Sequence, residues 1–196
     1  MNYIAHIHIA QHTGSSLLGN FLGDFVKGSQ LSDYSPKIQH GIKLHRKIDI
    51  YTDQHPEVLN LKRLFPAELR RTAGIALDIY FDHLLLNNWS TFSTLPSKQL
   101  LTHFYQQLDA TKLQISERFV HVRFNLLKHQ WLNDYQQEDV CLRAMFSIEQ
   151  RLQGKISFAS ASYKLLCKNR NMVEQSFLRF YAELLAQSAA LSVKLS

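Results

Sequence analysis

His45, Asp49 and Asp53 stand four residues apart in the stretch GIKLHRKIDIYTD at 41–53. In a helix each step of four turns the chain by only about 40°. One face therefore carries an imidazole and two carboxylates, and Ile38 and Ile42 share it. Such a stripe enters the core apolar and ends in ionisable groups. An unpaired buried carboxylate is costly, so it calls for an ion pair, a His–Asp hydrogen bond or a bound cation. Arg46 and Lys47 point elsewhere on the helix, which argues against a local ion pair. The hydrogen bond and the cation both stay open on this stretch alone.

A second group lies in GIALDIYFDHLLLNNW at 74–89, where Asp78 and Asp82 are four apart and His83 adjoins Asp82. Carboxylates at this spacing repel by a few tenths of a kcal/mol, and late in a helix they oppose its dipole. A cation between them would remove that penalty, as would Arg71 or another basic group. Asp24 sits at the border of an apolar helix face, either as a surface acid paired with Lys27 or as a functional carboxylate. His6 is a further donor. Mixed Asp/His donors without cysteine suit Mn²⁺, Fe²⁺, Mg²⁺ or Zn²⁺. A divalent ion of this kind can hold a phosphate oxygen and lower the pKa of bound water. Lys27, Arg46 and Arg71 could then bind the phosphate. There is no HExxH, P-loop, Rossmann glycine pattern or GxSxG elbow, so serine-nucleophile and nucleotide-cradle chemistries have no support.

The elements that must position these residues read as helices. Residues 2–11 alternate Ile with His in a strand-like way, yet Asn2 can cap a helix, and helix is the reading adopted. Leu17, Leu18, Phe21, Leu22, Phe25 and Val26 give a broad apolar face over 15–27, with Ser15 or Ser16 as cap and Gly28 as stop. Pro36 opens the helix carrying His45, which should end by 52–55. A short helix follows at 57–65, then one long helix over 67–88. Residues 90–97 read as a loop, and 98–110, 115–135 and 139–152 as helices. Gly154 marks a break before helices at 155–168 and 171–192. Helices without strands, repeats or a clear linker predict a single all-α domain over 1–196, a helical bundle.

The 196 residues are 45% hydrophobic and 19% charged, which describes a globular chain with room for a substantial core. No apolar run approaches the roughly 18 residues of a membrane span, and the start MNYIAHIHIAQH is not that of a secretory signal. Cys141 and Cys167 lack zinc-type spacing, so a reduced cytoplasm is expected. The net charge of +6 favours an acidic partner. It is scattered in short clusters, so nucleic acid is not the expected one.

Four blocks in chain order, MNYIAHIHIA at 1–10, GNFLGDFVKG at 19–28, GIKLHRKIDIYTDQHPEV at 41–58 and GIALDIYFDHLLLNNW at 74–89, resemble the acyl carrier protein phosphodiesterase family. WLNDY at 131–135 and RFYAELL at 179–185 resemble it more weakly. The resemblance implies an all-α fold akin to the HD-domain phosphohydrolases. It also implies Mn²⁺-dependent hydrolysis of holo-acyl carrier protein to 4′-phosphopantetheine and the apo protein, with Mg²⁺ or Fe²⁺ as alternative ions. By the same resemblance Asp24 is the residue expected to be essential. Asp24, His45, Asp49 and Asp82 are the catalytic candidates, and His6, Asp24, His45, Asp78, Asp82 and His83 the metal candidates. The sequence departs from the usual HD pattern: the acid–imidazole pair is reversed at Asp82-His83, and Arg46 follows His45. Two other readings stand beside this one: hydrolysis of nucleotides or another small phosphodiester, and a non-enzymatic helical binding module.

Overall fold

The first helix explains why the rest can be arranged around it. In α1 (Tyr3–His12) every residue from Tyr3 to Ala10 is buried. A helix covered all round belongs inside a bundle. Its alternating Ile and His residues are therefore not a strand pattern. The helices packed most extensively on it are α2 (Leu17–Leu22), α5 (Ala73–Asn87), α7 (Ser97–Ala110) and α11 (Arg170–Leu195). The computed structural model describes residues 1–152 and 156–195, and these contain helices and turns but no strand.

The remaining elements are α3 (Pro36–Gln54), α4 (Pro56–Arg63), α6 (Trp89–Phe92), α8 (Glu117–His129), a 3-10 turn at Trp131–Gln136, α9 (Glu138–Arg151) and α10 (Ala159–Lys168). Helices α3 and α4 pack on α11, and α5 is covered by α9 and the 3-10 turn. From the far end of the chain, Tyr181 of α11 reaches the inner helix, its hydroxyl 2.8 Å from His8 Nδ1.

Helices α2 and α3 cross closely because glycines meet. A Cβ on Gly41 would lie 2.8 Å from the Gly19 backbone, and one on Gly19 would lie 2.8 Å from Ile38 O. Ser16 caps α2 by accepting from Gly19 N. The helix then ends at Gly23 instead of running to 27. Phe25 and Val26 stay buried, but in a turn held by their amides on Leu22 O.

Three other boundaries differ from the sequence expectation. The stretch 66–72 forms successive i,i+3 turns with Leu69 tucked in, so α5 starts only at Ala73. The expected helix over 115–135 is broken at Gln130, which adopts a left-handed conformation (φ 47°) and starts the 3-10 turn. The expected loop at 90–97 begins with the short helix α6. The expected break at Gly154 and the start of the next helix at Lys155 lie outside the described residues.

Candidate metal centre

His6 projects from the first half of α1, His45 from the middle of α3, and Asp49 one turn beyond it. The imidazoles of His6 and His45 stack with centroids 3.8 Å apart and planes 25° apart. Each directs Nε2 at a different oxygen of the same carboxylate: His6 Nε2 is 3.1 Å from Asp49 Oδ1, and His45 Nε2 is 3.1 Å from Asp49 Oδ2. Both rings are buried, while the Asp49 side chain is 40% exposed. The cluster is therefore closed at the imidazole end and open at the carboxylate end.

Burial, reinforced by the stacked His45, pushes the His6 pKa down to about 4. His6 is thus neutral at pH 7, the form that offers a lone pair to a cation. Burial alone would raise the pKa of Asp49, but His6, His45 and the Met1 ammonium hold it far below the carboxylate range. The Nδ1 atoms of both rings are buried and have no hydrogen-bond partner.

These donors fit a small divalent ion. Ligands at about 2.1 Å in octahedral geometry stand about 3.0 Å from their neighbours. Each imidazole nitrogen stands 3.1 Å from an Asp49 oxygen, and one ligand atom from each of the three residues lies within 4.8 Å of the other two. Two imidazoles and one carboxylate suit Mn, Fe or Zn. Among the described residues these three form the group able to hold a metal ion.

Sequence reasoning did not foresee what sits under His45. A Cβ on Gly23 would lie 2.2 Å from His45 Cγ, so the ring rests on bare backbone. Together with the Gly19–Gly41 contact, small residues at 19 and 23 let α3 approach α2 closely enough to place His45. A glycine four residues after another in an apolar helix is the only trace this leaves in the sequence.

The other candidates lie apart from this trio. Asp82 is fully buried, and its two oxygens accept from Ile4 N and Ala5 N, each at 3.0 Å. It thus caps α1 in place of Asn2, whose side chain makes no cap bond. Burial raises the Asp82 pKa to about 7, against the lowering effect of those two amides. Asp78 is 38% exposed and lies 3.2 Å from the Met1 ammonium, which is also 3.3 Å from Asp49 Oδ1. Burial pushes the Asp78 pKa up, and the ammonium opposes this. The basic group beside Asp78 is thus the Met1 amine and not Arg71, which is exposed. His83 donates Nδ1–H to Tyr135 O at 2.7 Å. Asp53 is drawn out to Lys62 at 2.9 Å.

Asp24 is partly exposed in the turn after Gly23, beside the seat of His45. Burial, with the negative charge of Asp24 nearby, pushes the Tyr3 phenol up to about 12. Lys27 is exposed. Arg46 donates from its guanidinium to Val26 O at 2.8 Å, tying the turn that carries Asp24 to α3.

Fold and site together describe an all-α protein with a His₂Asp group that could hold a metal ion. The acyl carrier protein phosphodiesterase family profile matches residues 1–184. Proteins named acyl carrier protein phosphodiesterase from Salmonella agona and Salmonella newport are each 33% identical over 190 residues, covering 96% of this chain and 98% of theirs. The chain belongs to the acyl carrier protein phosphodiesterase family. No solved structure matches it, so kinship with the HD-domain fold rests on the sequence resemblance.

Proposed function

We propose that this chain, working as one domain, hydrolyses the phosphodiester of holo-acyl carrier protein, releasing 4′-phosphopantetheine and the apo protein. The carrying observation is the His6–His45–Asp49 group, half open to solvent, in a chain of this family. Its donors would hold a divalent ion, with Mn²⁺ as the favoured metal. Held there, such an ion would supply Lewis acidity at a phosphate oxygen and a more acidic water.

The protein's own part is positioning. The buried imidazoles fix one side of the site through stacking and the Gly23 seat. Asp49, ionised and exposed, marks the side from which substrate arrives. Asp24 is assigned to the phosphodiester end, supported by its place one residue beyond Gly23. Lys27 is the exposed cation on the same turn, and we assign it a phosphate contact. Asp78 stands across the Met1 ammonium from Asp49, and we assign it to holding that ammonium at the edge of the site. Asp82 and His83 we assign to the framework, since their polar atoms are engaged by α1 and by Tyr135.

We place the reaction in the cytoplasm, on the carrier protein of fatty acid biosynthesis. Among the described residues no helix is long and apolar enough to cross a membrane, and Cys141 and Cys167 are free thiols. The test is mass spectrometry of holo-acyl carrier protein incubated with the chain. Loss of the phosphopantetheine mass with Mn²⁺, and none after chelation, is expected. An unchanged substrate alongside turnover of a nucleotide or small phosphodiester would replace this reading with the small-substrate one.

A further inference from the structure

Helix α8 carries more apolar surface than its packing uses. Phe119 and Leu126 are fully buried, and Phe119 meets Phe21 and Phe25 beneath the Asp24 turn. On another face Val120 and Phe124 are 52% and 60% exposed. They stand one helical turn apart, so they form one strip. The strip lines a groove of about 600 Å³ together with Ile115, His121 and Glu117.

The surroundings of this groove are basic. Between residues 112 and 129 lie Lys112, Arg118, Arg123 and Lys128 against the single acid Glu117, with His121 and His129 in addition. Arg123 is spent on Leu108 O and Asp109 O. Lys112, Arg118 and Lys128 are exposed, and the Lys128 ammonium lies 5.6 Å from the Phe124 ring centroid. An apolar strip with cations around it fits a protein surface of apolar centre and acidic rim. It is a poor match to a second copy of this net-positive chain, which would bring like charges together.

The helix that carries the groove also touches the turn that carries Asp24. Arg118 donates to Asp24 O at 3.1 Å and lies over the Phe25 ring at 5.0 Å. The same helix thus touches the turn that follows the seat of His45 and presents the apolar strip to solvent.

We infer that the Val120–Phe124 face of α8 is the docking surface for the acidic carrier protein, holding its apolar centre while the surrounding cations meet its acidic groups. This rests on the carrier-protein reading of the proposed function. An interface of this type draws its affinity from a small buried apolar centre and its encounter rate from the charged rim.

The test uses the full chain with Val120→Asn/Phe124→Ser and, separately, Lys128→Glu. Both alter exposed side chains outside the candidate metal centre. Two quantities are measured: steady-state kinetics on holo-acyl carrier protein, and the Kd for apo-acyl carrier protein, which binds without turnover. The double variant should raise both KM and Kd at least tenfold, with kcat within twofold of wild type and an unchanged Tm. Lys128→Glu should lower kcat/KM several-fold at low salt and less at high salt, because exposed charges are screened. KM and Kd equal to wild type in both variants would overturn the docking surface while leaving the proposed activity standing. Conversion of a dimer to a monomer with KM unchanged would also overturn it and assign the groove to self-association. A wild-type chain that neither turns over holo-acyl carrier protein nor binds the apo form would remove the proposed function itself.

Discussion

Helices α3 and α5 carry similar sequence signals and use them differently. Each sets ionisable groups four residues apart beside an apolar stripe: His45 and Asp49 on one, Asp78 and Asp82 on the other. On α3 the two groups converge on one point, because His6 of α1 meets them there and Asp49 remains open to solvent. On α5 the pair separates. Asp82 turns inward to the first amides of α1, and Asp78 faces the Met1 ammonium at the edge. What a carboxylate does is decided by the element opposite it. An imidazole across the gap makes a ligand set, and a helix start makes a cap.

The largest effect expected from this contrast is catalytic. Asp49→Ala should abolish stoichiometric metal binding and lower kcat/KM by about a thousandfold or more, since the ion contributes several kcal/mol to the transition state. The melting temperature should fall as well, because two buried imidazoles and the Met1 ammonium lose their common partner. Metal content together with kcat/KM checks this, and near-normal values of both would remove Asp49 from the site.

Asp82→Ala should act through stability instead. Two amides buried at the start of α1 lose their acceptor, at a cost of about 2–4 kcal/mol of stability. Chemical denaturation measures it. A loss below about 1 kcal/mol, with activity gone, would move Asp82 from the framework to the chemistry.

Gly23→Ala probes the join between the two regions. Its methyl group would collide with His45, and the ring or α2 must shift. Misplacement by about 1 Å can cost up to about a hundredfold in rate, so a ten- to hundredfold loss with weakened metal affinity is expected. A variant with wild-type metal affinity would show that His45 needs no such seat.

The smallest effect is a pH slope. The folded Asp82 pKa of about 7 lies above the ordinary carboxylate value of 3.8. Between these values the folded state holds a proton that the unfolded chain has released, so this group makes stability fall as pH rises. Relative to Asp82→Asn, wild type should lose about 1 kcal/mol between pH 5 and pH 6, given 1.36 kcal/mol per unit as the ceiling. Paired denaturation curves at the two pH values measure the slope. A gap moving the other way would mean that the two α1 amides hold Asp82 below its unfolded pKa.

The contrast also marks how far the sequence could be read. The helical class followed from periodicity, and the His45–Asp49 pairing followed from spacing within one helix. Asp82 could not be told from a ligand, because its partners are backbone amides 77 and 78 residues away, and amides carry no sequence signature. Gly23 was legible only as a glycine, since its role depends on a ring brought in by α3. The break at Gln130 has no glycine or proline to announce it. The late start of α5 goes against the good helix propensity of AELRR, where burying Leu69 in a turn prevails.

The anchoring of α1 bears on the order in which the chain takes shape as it is made. Its amide end waits for Asp82, and His8 waits for Tyr181, 173 residues further on. Domains generally fold as units during synthesis, at about 5–20 residues per second. The helix that emerges first is thus among the last to gain its partners, and His6 rides on it. A chain stopped before α11 would carry every donor of the candidate metal centre and still lack part of what holds His6 in place. If the trio holds a metal, its capture would report on completion of the protein, and a divalent ion offered to a nascent chain would meet scattered histidines before it met a site.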